Sequence, residues 1–224
     1  MRFLRWCHAM LALTLILQLV AAAEPRQQIA PPLPELQSPA WKYRFEPNLG
    51  RYTDQVQYVA FIEGGVALFT QETVVDSNGL SVALRGARDT RYSALDFRYT
   101  ARNSAEIDGP LFIPHYARLV RRNVYPGIDL VYQVDATGEL EVHFFLQQEA
   151  KLSDIALVYQ GAEKLELTKT GELKVKTITG TVVQQCPKIH RMTGERFISL
   201  PVALHLDGDG AVRVAGRASD LGDD

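Results

Sequence analysis

Cysteine is nearly missing from this chain. There are two, Cys7 and Cys186, in 224 residues. Cys7 falls in the leader described below, so a processed chain keeps one thiol, and one thiol closes no internal disulfide. A surplus of either charge is also missing: 24 basic residues stand against 26 acidic ones, for a net charge of -2. That balance excludes the basic footprint of a nucleic-acid binder. No unit recurs at the roughly 20–50-residue period of solenoids and propellers, so the chain itself is neither. No long stretch has the 3.6-residue apolar period of a helix. What remains is ordinary globular composition, 46% hydrophobic and 22% charged, which excludes wholesale disorder, collagen and a multi-span membrane protein. A chain of this length builds one core without staples.

Residues 1–23 read as a secretory signal. Arg2 and Arg5 precede an apolar run from Met10 to Val20, and Ala21-Ala22-Ala23 offers a small-residue cleavage site before Glu24. The run is shorter than the roughly 20 residues a membrane span needs. No stable membrane insertion is expected after cleavage, and the expected localisation is export: secreted, periplasmic or at the cell surface. Losing Arg2 and Arg5 leaves 22 bases against the 26 acids, a net charge of -4. Residues 24–40 hold five of the eleven prolines, Pro25, Pro31, Pro32, Pro34 and Pro39. Such a segment favours extended, donor-poor backbone and reads as a flexible lead.

From Trp41 onward the pattern has period two, which predicts an all-β domain over residues 41–215 and an acidic, disordered tail over 216–224. Val56, Tyr58, Ala60 and Ile62 share one predicted face; so do Leu80, Val82 and Leu84, and again Leu95, Phe97 and Tyr99. Leu140, Val142, Phe144 and Leu146 alternate with Glu139, Glu141 and His143. Leu165 and Leu167 are joined to Leu173 and Val175 through a hairpin turn at Lys169-Thr170-Gly171. Ile198, Leu200, Val202 and Leu204 form one late strand, and Asp207-Gly208-Asp209-Gly210 turns the chain toward Val212 and Val214. A short helical turn is expected near Ser153-Asp154. Alternation with one polar face predicts antiparallel sheets wet on one side, in a β-sandwich or a pair of twisted sheets.

Candidates for chemistry are few. The mature histidines, His115, His143, His190 and His205, form no HxH or HExxH pair. Glu139, Glu141 and His143 project from one face of a strand, which suits either a metal or acid–base site or a solvated surface. Asp129, inside the apolar run Ile128–Tyr132, suits a catalytic acid, or a hydrogen bond to a turn or an ion pair with Arg121 or Arg122. Asp207 and Asp209 suggest a calcium loop, but Ala211–Val214 supply no further ligand and a tight hairpin explains them. Ser93, Ser104, Ser153 and Ser199 lack the Gly-x-Ser-x-Gly elbow. Cys186 reads as a small buried residue on a strand. No cofactor and no catalytic or metal residue is assigned.

Two stretches resemble a known family. Phe45-Glu46-Pro47-Asn48-Leu49-Gly50-Arg51, with Asp54–Ala60 after it, is similar to the "FExNxGQ…VxFxA" opening of an uncharacterised bacterial domain that precedes SBBP-type β-propeller repeats. His115–Leu119 and then Tyr125-Pro126-Gly127-Ile128-Asp129-Leu130-Val131-Tyr132 resemble its "YPGIDLVYY" segment, with Pro126 and Gly127 suited to the middle of a type II turn. Weaker likeness follows at Leu140–Phe144, Asp154–Leu157, Gln160–Ala162, Gly171–Leu173 and Val182–His190, so the match runs over about residues 42–205. It fails at Asn103–Pro110, and the propeller is expected to be absent. The resemblance marks Phe45, Glu46, Asn48, Gly50, Tyr125, Pro126, Gly127, Asp129 and Tyr132 as structural motif positions and carries over no catalytic residue. The expected function is a non-enzymatic structural or interaction module at or outside the cell envelope, with an unknown protein or glycan as partner. A carbohydrate-binding module would instead show two or three exposed aromatics on one face. A metal-dependent hydrolase would bring Asp129, Glu139, Glu141 or His143 into one pocket.

Overall fold

A computed structural model describes residue 33, residues 42–103 and residues 110–216, with side chains outside 99–112. The signal segment, nearly all of the proline-rich lead and the tail beyond Gly216 lie outside the described residues. Alternating apolar residues give seventeen strands and no α-helix in the described part. They are β1 (Arg44–Pro47), β2 (Val56–Ile62), β3 (Gly65–Thr70), β4 (Thr73–Asp76), β5 (Ser81–Leu84), β6 (Tyr92–Asn103), β7 (Pro110–Tyr125), β8 (Ile128–Val134) and β9 (Leu140–Leu146). Then follow β10 (Ala156–Gln160), β11 (Ala162–Leu167), β12 (Leu173–Thr177), β13 (Gly180–Gln184), β14 (Lys188–Thr193), β15 (Arg196–Leu200), β16 (Val202–Leu206) and β17 (Val212–Gly216). A single 3-10 turn at Leu152–Asp154 meets the helical expectation near Ser153.

Fourteen strands form one sheet in the order β15-β14-β9-β8-β7-β1-β2-β3-β4-β5-β10-β17-β16, with β6 paired to β7; β11, β12 and β13 form a second sheet. The all-β expectation therefore holds, but the strands divide very unequally between the two sheets. The large sheet is nearly closed. Its two end strands, β15 and β16, are consecutive in the chain with only Pro201 between them. The single late strand expected over Ile198–Leu204 is thus two strands at opposite ends of the sheet. Pro201 has no backbone N–H for a ladder, so the strand breaks there and the chain changes partner.

The core lies on one face of the large sheet, where Phe45, Leu119, Leu130, Tyr132, Phe144, Leu146 and Ile189 meet Phe69. Phe69 sits edge-on to Phe45 (5.5 Å, 77°), Tyr132 (5.0 Å, 80°) and Tyr92 (6.0 Å, 84°). Each such pair adds about 0.5–1.5 kcal/mol beyond the area it buries. The expectation of one wet face fails in the middle of the sheet: every residue of β8 is buried. Its second face carries Asp129, Val131 and Gln133, beside buried His143 and Phe145 of β9. The expected face of β6 is wrong as well. Tyr92 and Ala94 pack on the core, while Phe97 is 48% exposed next to Asp96, which adopts a φ of 59°. In β2 a register shift between Val56 and Tyr58 interrupts the predicted face.

Local turn chemistry follows the sequence. The β11–β12 hairpin turns at Gly171 (φ 87°), and its Gly171 N–H donates to the Thr168 carbonyl at 3.0 Å. The β16–β17 hairpin closes with the Asp207 N–H on the Ala211 carbonyl at 2.9 Å. Arg213 pairs with Asp207 and Arg85, just past β5, pairs with Asp209, so both carboxylates are taken up by arginines. Cys186 lies past the end of β13, in the connection to β14, and packs against the core partly buried. That corrects its expected place on a strand.

Candidate functional site

The residues with the most chemistry meet where β9, β14 and β15 adjoin. Side chains two apart on a strand share a face, so Glu141, His143 and Phe145 line one side of β9. Among the described residues the one parallel ladder is β9 with β14, and it sets Lys188 beside His143 and His190 beside Phe145. The antiparallel β14–β15 ladder then puts Ser199 opposite His190. The four polar side chains form a continuous chain. Ser199 Oγ is 3.2 Å from His190 Nδ1, His190 Nε2 is 3.1 Å from His143 Nδ1, and His143 Nε2 is 3.0 Å from Glu141 Oε2. The other Glu141 oxygen accepts from Lys188.

The carboxylate gives the chain a direction. Ionised Glu141 only accepts, so His143 holds its proton on Nε2 and accepts at Nδ1. His190 must then donate from Nε2, and its Nδ1 is left to accept the Ser199 hydroxyl. No donor meets a donor anywhere along the path. Burial lowers the pKa of His143, against the opposing pull of Glu141. Burial, then His143, then Lys188 lower that of His190 to about 4. At neutral pH both rings are uncharged, as this arrangement requires. Phe145 stacks on His190 (4.5 Å, 12°) and meets the edge of Phe197 (5.1 Å, 81°), which fixes the imidazole plane. His143 is 3% exposed, whereas Ser199 lies at the exposed end. The arrangement can pass a proton from a surface hydroxyl toward a carboxylate.

The sequence brought Glu141 and His143 to one face, and the structure joins them. It does not bring in the other two members of the expected pocket. Glu139 accepts from Gln185 at 2.6 Å. Asp129 accepts from Arg122 at 2.6 Å and from the Asn123 N–H at 2.7 Å, the turn bond and arginine pair that its sequence context suggested. Among the described residues no three His, Cys, Asp or Glu side chains are placed to hold a metal ion. The meeting of His143 with His190 was not foreseen, because a parallel pairing leaves no local mark in sequence.

The motif residues occupy packing and turn positions. Phe45 is fully buried in the core. Glu46, also fully buried, faces Arg44 at 2.8 Å, Arg51 at 2.6 Å and His115 at 2.9 Å. Burial is the strongest single influence on its carboxyl and opposes ionisation, yet the two guanidiniums and His115 together outweigh it and lower the pKa. Asn48 donates to the carbonyls of Tyr52, Thr53 and Val56 and accepts from the Gly50 N–H, so one amide organises the loop. Tyr125 donates to the Arg85 carbonyl at 3.1 Å. Gly127, after Pro126, has the positive φ of 71° that the turn needs. Tyr132 lies against Phe69.

The model of a family described as a domain of unknown function, DUF7948, matches residues 98–215. That span holds the whole Ser199–Glu141 path and the Asp129 turn, and leaves out Glu46. No curated protein and no solved structure matches the chain. Since the matched span exceeds half of its length, the chain belongs to this domain family of unknown function.

Proposed function

We propose that the chain is an exported structural or interaction module that works at or outside the cell envelope by offering sheet edges to a partner protein. One observation carries this reading. Among the described residues, β15 and β16 each pair on one side only, at the two ends of the large sheet. Ile198 on β15 is 48% exposed and Leu206 on β16 is 40% exposed. An uncovered edge with apolar side chains favours the addition of a further strand. The resemblance to domains preceding SBBP repeats makes a β-propeller the kind of partner in view. This reading gives the module no cofactor and no resident metal.

The test uses the full chain made in a bacterial host, with a photo-cross-linking residue at Ile198, at Leu206 or, as control, at Lys169. Exported material should begin at Glu24, and the two edge positions should form a discrete adduct with a β-propeller protein that Lys169 does not form. An intact N-terminus on cytoplasmic material, or equal adducts from all three positions, overturns the proposal.

A further inference from the structure

The path described above does more than a packing network needs. A hydroxyl at the surface is satisfied by water, and a buried histidine pair is satisfied once it reaches a carboxylate. Here the path extends past the pair to an exposed serine, with every proton directed inward. A hydroxyl whose proton has a prepared acceptor, itself oriented by a third group, is the arrangement of an activated nucleophile. We propose that Ser199 is a nucleophile toward activated acyl esters, with His190 as its base and with His143 and Glu141 as positioning residues.

The step balances without a metal or a redox partner. Ser199 Oγ attacks the ester carbonyl carbon and forms the Oγ–C bond. Its proton passes to His190 Nδ1. The bond from the acyl carbon to the leaving oxygen breaks, the electron pair departs on that oxygen, and the oxygen takes the proton from His190 Nδ1. The products are acyl-Ser199 and an alcohol. While His190 is transiently cationic, its Nε2–H points at His143, whose own Nε2–H points at ionised Glu141, so the charge is stabilised along the path. The uncharged state of His190 at neutral pH leaves Nδ1 able to accept. Ser199 stands on an open strand face, which suits small acyl groups with good leaving groups. This inference does not depend on the edge-binding role.

The experiment treats the full chain with p-nitrophenyl acetate and, separately, with a fluorophosphonate probe, and maps the adduct by mass spectrometry. A single adduct on Ser199 is expected, and Ser199→Ala should abolish it. His190→Gln should slow labelling about 100-fold, and added imidazole should restore part of the rate in His190→Gly. A purely structural histidine gives no such rescue. For the positioning role, His143→Gln should keep more of the rate than His143→Ala. The proposal is overturned if the adduct lies elsewhere, if Ser199→Ala labels equally, or if the folded chain labels no faster than the denatured one.

Discussion

The Asp129 carboxylate accepts the backbone N–H of Asn123 at 2.7 Å, and Asn123 holds a φ of 54°, a left-handed value that few non-glycine residues adopt. The pair sits where the β7–β8 register slips between Arg121 and Tyr125. Asn123 repays the contact by accepting the Gly127 N–H at 3.0 Å through its side chain. The apolar run Ile128–Tyr132 is therefore kept in register by the one acid within it. Asp129→Ala leaves that N–H and Arg122 without their acceptor and should cost about 2–4 kcal/mol. Asp129→Asn keeps an acceptor and should cost about half as much. Urea unfolding of both variants checks the order, and equal losses would mean that the carboxylate does not hold the bulge.

Glu46 invites a sharper test, because three donors converge on one buried acid. Removing the anion strands the arginine that is best enclosed: the Arg44 side chain is 13% exposed, against 44% for Arg51. Breaking a buried pair from one side costs about 3–5 kcal/mol, so Glu46→Gln should unfold at much lower denaturant. Its lowered pKa fixes the sign of the pH effect. The native state holds Glu46 ionised below the pH at which the unfolded chain protonates. Its contribution is thus complete above the ordinary carboxyl value of 4.5 and is lost as pH falls through the lower native value. The wild type should lose stability in acid more steeply than Glu46→Gln. Parallel acid curves would mean that ionised Glu46 does not hold Arg44, Arg51 and His115 together.

Hairpins were legible in the sequence because their partners are neighbours: Leu167 with Leu173, and the aspartate–glycine turn before Val212, follow from alternation and turn chemistry alone. The unbroken run at β8 also carried its own signal, since a strand buried on both faces reads as continuous rather than alternating. Alternation elsewhere led to the expectation of a wet second face. The break at Pro201 was visible too, but alternation through Ile198–Leu204 continues across it, and side-chain period says nothing about partner choice. The relay was beyond reach for a related reason. His143 and His190 meet only because β14 adds in parallel to β9 after four intervening strands have been placed elsewhere. Ser199 carries no elbow motif; its histidine neighbour comes from β14, the adjacent strand of the same hairpin.

Two glycines with similar backbone separate strain from space. Gly50 has a φ of 86° and open space where a Cβ would go. Gly138 has a φ of 94°, and a Cβ there would lie 2.6 Å from the Tyr43 ring and 2.7 Å from the Glu63 Cβ. Gly50→Ala should cost only the left-handed penalty of about 1–2 kcal/mol. Gly138→Ala adds a collision with a buried ring and should cost about 2 kcal/mol more, in line with overpacking elsewhere. Denaturant midpoints decide this: if the two losses match, Tyr43 yields freely and does not define that loop.

The histidine path predicts acid sensitivity in a window of its own. Beside His190 stand His143 from β9, Lys188 from β14 and Ser199 from β15, with Glu141 beyond His143. Its native pKa is about 4, against an ordinary 6.5, because burial, His143 and Lys188 all disfavour the imidazolium. Between these values the unfolded chain binds a proton that the native chain refuses. Stability is therefore full above pH 6.5, falls as pH drops toward 4, and levels off below. His143, shifted the same way, adds to the slope. The ring of His190 is only partly buried, so screening trims the loss to about 2 kcal/mol at most. His190→Gln carries no titrating ring and should lose about 1–2 kcal/mol less than wild type between roughly pH 7 and pH 5. Because the Glu46 contribution is complete above 4.5, the interval from pH 7 to pH 5 is free of it. If wild type and His190→Gln weaken equally from pH 7 to pH 5, the imidazole is not held neutral and the direction assigned to the relay is wrong.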